Sequence, residues 1–153
     1  MAKTIPGQRS VFMAAAIVIV VTILWALVFL PRLGVHPEAI RDGVDHSSKV
    51  FFKILLTAAV VLVVCAFLSR LGGRIISGII CGLLYLAAGL IFLHDLMVFN
   101  GAVFYLQEYE GYSAEAIWML ICVGASLIAA ILAIIAGNKY RQLALPRDGG
   151  GAG

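Results

Sequence analysis

Residues 11–30 read VFMAAAIVIVVTILWALVFL, twenty consecutive positions without a charge. As a helix rising about 1.5 Å per residue, this run covers about 30 Å, the thickness of a bilayer's hydrocarbon core. Thirteen of its residues are Val, Ile, Leu or Phe. At about 0.3–0.6 kcal/mol each near mid-helix, they favour insertion by roughly 5 kcal/mol. The run is too long for the apolar region of a signal peptide, and no small-residue cleavage site follows it.

Three more runs of this kind follow, at 50–68, 75–93 and 116–136. The reading is an all-α integral membrane protein, a four-helix transmembrane bundle over residues 1–145, with 146–153 as a flexible tail. A membrane β-barrel would need segments of about ten residues alternating polar and apolar, and the sequence has none. Composition agrees. The chain has 153 residues, 63% hydrophobic and 12% charged, with mean hydropathy +1.07. A soluble domain carries about 25% charged residues, so this chain has too little polar surface to cover a water-soluble globule.

Lys and Arg fall into two groups. Lys3, Arg9, Arg70, Arg74, Lys139, Arg141 and Arg147 share one side of the proposed membrane. Arg32, Arg41, Lys49 and Lys53 share the other, offset by Glu38, Asp42 and Asp45. The connection from His94 to Glu115 holds no Lys or Arg but has Asp95, Glu108, Glu110 and Glu115. The positive-inside rule then puts both termini in the cytoplasm, with a bacterial cytoplasmic membrane as the expected location. The net charge of +3 is thus a topology signal. No basic stripe with interleaved aromatics points to nucleic acid.

The joints fit this map. Gly72-Gly73 allows a tight hairpin between segments two and three. Pro31 ends the first helix, and Gly137-Asn138 closes the fourth. Residues 36–53 read as a short interfacial helix leading into segment two, with Lys53 snorkelling to the headgroups. Cys65, Cys81 and Cys122 lie inside apolar runs and read as packing residues rather than a disulfide framework.

Two ridges of small residues suit close helix approach in lipid: Gly78, Gly82 and Gly89 on segment three, and Ala125, Ala129 and Ala133 on segment four. Either ridge packs within the bundle or receives a partner. Phe99, Phe104, Tyr105, Tyr109, Tyr112 and Trp118 read as an interfacial aromatic belt.

The polar residues offer one weak constellation. His36, His46, His94 and Asp95 all fall at the outer side, where imidazole and carboxylate could take Zn²⁺ or Cu²⁺, or hold a haem. Their spacing matches no ligand signature, so no cofactor is expected. No acidic residue lies deep in any span as drawn, which weighs against transport by a single copy. Enzyme motifs are missing, and the expectation is a protein that is not an enzyme. The leading functional reading is a non-catalytic accessory subunit of a larger membrane complex, contacting lipid, protein subunits or other copies of itself. The alternatives are a small homo-oligomeric channel or transporter lined by Thr22, Thr57, Ser77 and Ser126, and a metal- or haem-binding redox protein.

Overall fold

The computed structural model describes residues 8–24, 26–27, 38–108 and 113–145, with side chains described over 8–24, 26–27, 49–103 and 117–145. Four helices run through them: α1 (Gln8–Leu24), α2 (Glu38–Leu68), α3 (Arg74–Glu108) and α4 (Ser113–Ala144). There is no strand among the described residues.

Three helical stretches are long and apolar enough to cross a membrane: Lys49–Leu68, Arg74–Val103 and Ile117–Ala144. The 17 residues of α1 cover about 26 Å, followed by a wider π turn at 26–27. The rest of the first apolar run, 28–30, lies outside the described residues, as does Pro31.

Each helix touches two others. α1 packs on α2 and α4, α2 on α3, and α3 most extensively on α4. Small residues make the close approach, with Ala14, Ala58, Ala87, Ala129 and Ala133 all fully buried. The outward surface is as apolar as the interior, with Val20, Val60, Phe67, Leu86 and Ile128 all exposed. In water such a surface would aggregate; in lipid it is the solvated face.

The α3/α4 pair is antiparallel. A Cβ on Gly78 would lie 3.7 Å from that of Ala144, and one on Gly101 would lie 3.4 Å from the Met119 Cε. Between these ends, Tyr85 covers Gly137. At the α2–α3 turn, Gln8 Nε2 donates to Ser69 Oγ (3.3 Å). The start of α1 and the end of α4 therefore gather at the end that carries this turn.

The turn forms as its glycines suggest. Gly72 has φ +72° and Gly73 φ +105°, both in the left-handed region that costs an L-residue roughly 1–2 kcal/mol. The amide and hydroxyl of Ser77 both donate to the Gly73 carbonyl, at 2.9 and 2.7 Å. A Cβ at either glycine would meet open space, so substitution would act through backbone conformation alone. Gly72→Ala and Gly73→Ala are each expected to lose about 1–2 kcal/mol in reversible unfolding from mild to denaturing detergent. Ala substitution at exposed Gly82, inside a helix, should cost nothing in the same assay.

Three sequence-based boundaries change. Segment three does not end at 93: α3 continues through His94 and Asp95 to Glu108. The stretch read as a loop from His94 is helical for most of its length. Gly137-Asn138 does not end the fourth helix, because α4 passes through both to Ala144. Residues 38–53 are not a separate interfacial helix but the first half of the continuous 31-residue α2.

A buried histidine–aspartate–serine cluster

Successive helical residues point about 100° apart, so His94 and Asp95 address different neighbours. The imidazole of His94 meets Phe51 of α2 edge-on, with centroids 6.3 Å apart and planes at 86°. Asp95 faces α4, where the Ser126 hydroxyl donates to Oδ1. His94 Nδ1 lies 3.1 Å from the same oxygen, with the two side chains 0% and 7% exposed. The second carboxylate oxygen, Oδ2, is buried without a hydrogen-bond partner among the described residues.

Ser126 Oγ also lies 2.7 Å from the Cys122 carbonyl and 3.2 Å from that of Val123. Both carbonyls belong to its own helix, whereas the carboxylate is a stronger acceptor. Ser126 thus serves as a donor to Asp95.

On α4, Ser126 stands eleven residues after Glu115 and thirteen before Lys139, about 16 and 20 Å along the axis. That is the middle of the helix's uncharged run. On α2, by contrast, Lys49 and Lys53 flank Phe51 at two residues' distance. Two residues is more than half a turn, so both cations lie on the far side of α2 from the Phe51 ring, and both are exposed. An acidic residue therefore does sit within a stretch able to cross a membrane, which reverses the expectation of an uncharged interior.

Of the four residues of the outer metal set, the described side chains are those of His94 and Asp95. His94 and Asp95 are drawn inside, His36 lies outside the described residues, and so does the side chain of His46. Among the described residues, no three His, Cys, Asp or Glu side chains come together as a metal-binding group.

The small-residue ridges separate. Ala129 and Ala133 are fully buried, and Ala125 is half-buried. On α3, Gly78 approaches Ala144, while Gly82 and Gly89 are exposed and a Cβ on either would touch nothing within 4 Å. Of the aromatics, Phe99 and Trp118 are exposed at 48% and 47%. The side chains of Phe104 and Tyr105, and all of Tyr109 and Tyr112, fall outside the described residues.

Sequence reading missed two other features. Tyr85 Oη donates to Asn138 Oδ1, which holds its ring over Gly137; the Gly-Asn pair was read only as a terminator. An open apolar groove of about 330 Å³ runs between α1 and α4, lined by Val20, Leu24, Ile121, Cys122 and Ala125 among others. Cys122 and Ala125 bring it to within one turn of Ser126 on α4.

Comparison of the chain with protein-family models, with curated protein sequences and with solved structures returns no match.

Proposed function

We propose that the protein is a four-span integral membrane protein of a bacterial cytoplasmic membrane, with both termini cytoplasmic, that serves as a non-catalytic subunit of a larger membrane assembly. Four crossings are supported by the uncharged run 11–30, whose twenty residues would reach bilayer length as a helix. A shared side for the termini is supported by the Gln8–Ser69 and Gly78–Ala144 contacts at one end. The excess of Lys and Arg at that end supports the cytoplasmic assignment.

The observation that carries the subunit reading is the bare pair Gly82 and Gly89, seven residues apart on α3. Each helix-interior glycine costs about 1 kcal/mol relative to alanine, and here a Cβ on either would meet nothing within 4 Å among the described residues. A partner helix packed at glycine distance offsets that cost.

Purification in mild detergent tests this. The wild type is expected to migrate with a second protein or as a multiple of its own mass. Gly82→Leu with Gly89→Leu should release it, and the released monomer should melt no lower than wild-type monomer stripped of its partner. A lone monomer from native membranes would contradict the proposal.

A pore between copies has less support. Thr22, Ser77 and Ser126 are buried, and Thr22 and Ser77 donate to carbonyls of the preceding turn. Among the four hydroxyls available, Thr57 alone is exposed, and it too donates to such a carbonyl, that of Lys53.

A further inference from the structure

We propose that the groove between α1 and α2 binds one anionic phospholipid, with an acyl chain along its floor and the headgroup phosphate on Arg70 at its mouth. The groove holds about 300 Å³. On α1 it runs from Phe12 to Ile19, and on α2 from Arg70 back to Val63. The Gln8–Ser69 contact sets these directions, because it joins the start of α1 to the end of α2. Seven residues on each helix give the groove a length of about 10 Å. Ala15 and Ala66 are buried and form its floor, while Phe12 and Phe67 stand exposed beside it.

Shape and charge together select the occupant. About 300 Å³ spread over about 10 Å leaves a cross-section of roughly 30 Å², well below that of a helix 10–12 Å across with its side chains. A single hydrocarbon chain suits such a slot. The α1/α4 groove has a similar volume, about 330 Å³, but no charged residue lines it. Here the mouth carries Arg70, whose guanidinium lies 6.0 Å from the centroid of the Phe67 ring. Arg9 stands three residues before Phe12, on the same face of α1. Both arginines are exposed, and among the described residues no Asp or Glu stands at this end. A guanidinium fork matches phosphate oxygens bidentately. With two cations at the mouth, a lipid of net negative charge is favoured over a zwitterionic one, which brings a cation of its own. This site is separate from the glycine face of α3 and does not depend on a protein partner there.

Native mass spectrometry of the full chain in mild detergent, with added dioleoylphosphatidylglycerol or dioleoylphosphatidylcholine, tests the proposal. The wild type is expected to retain one phosphatidylglycerol, about tenfold more tightly than phosphatidylcholine, the equivalent of one charge-assisted hydrogen bond. Arg70→Gln should abolish that preference. Arg141→Gln removes the same charge at the same end from α4, which does not line the groove, and should leave the preference intact. Val63→Phe keeps every charge, fills the groove and should lose the lipid; if it does not fold, the two arginine variants carry the test. Millimolar inorganic phosphate should not displace the lipid, since the chain is held as well as the headgroup. Equal retention of the two lipids would overturn the proposal, as would equal losses in Arg70→Gln and Arg141→Gln. So would lipid that Val63→Phe retains, displacement by phosphate, or a second polypeptide bound in place of lipid and released by Val63→Phe.

Discussion

His94→Leu is expected to destabilise the protein by about 3 kcal/mol at neutral pH. The value lies between the 1–3 kcal/mol of an orphaned buried polar group and the 3–5 kcal/mol of a broken buried ion pair. Leucine retains apolar contact with Phe51 but strips a donor from Asp95 Oδ1, leaving Ser126 as its remaining described hydrogen-bond partner. Asp95→Asn is expected to cost less, because the amide oxygen still accepts from Ser126 and no charge is stranded. The double variant His94→Leu/Asp95→Leu should recover part of the single-variant loss, since it removes both members of the pair and leaves apolar side chains in their place. Reversible unfolding in mixed detergent, run as a double-mutant cycle, measures all three. Equal and additive losses would show that the two side chains do not depend on each other.

Gly137→Leu should lose about 1–3 kcal/mol through overpacking. A Cβ at this position would lie 3.0, 3.3 and 3.4 Å from three atoms of the Tyr85 ring. The ring cannot swing away without giving up its bond to Asn138. Alanine separates the two effects at work. Its helix propensity gains about 1 kcal/mol over glycine, which offsets much of the crowding, so Gly137→Ala should be near neutral. Tyr85→Ala removes the obstacle and is expected to rescue Gly137→Leu. Failure of that rescue would place the crowding elsewhere.

Both predictions turn on residues whose surroundings the sequence did not disclose. Apolar runs located the helices, and Gly72-Gly73 located the turn, because both signals are local. The end of segment three was misplaced at Leu93, because His94-Asp95 resembles the polar boundary of a span. A usable signal followed it: Leu96-Met97-Val98-Phe99 and Ala102-Val103 resume the apolar pattern at helical spacing, and Val98 and Ala102 are fully buried. What makes the pair tolerable inside is Ser126, thirty-one positions away, and no local reading supplies that partner. Gly137-Asn138 misled for a related reason. Glycine ends helices, but it also admits an aromatic ring from a neighbour, and only the packing of α3 on α4 selects between the two. The glycine and alanine ridges looked alike in sequence. In the structure Ala129 and Ala133 turn inward while Gly82 and Gly89 are left bare.

The most direct test of the account is the side of the membrane on which each connection lies. Cys65, Cys81 and Cys122 are buried, so a cysteine introduced at Lys3→Cys, Tyr112→Cys or Gly151→Cys reports its own position to a membrane-impermeant thiol reagent. Four crossings with cytoplasmic ends predict labelling of Tyr112→Cys in intact cells, and of Lys3→Cys and Gly151→Cys only after the membrane is permeabilised. Labelling of one terminal cysteine but not the other in intact cells would mean an odd number of crossings and would contradict the account.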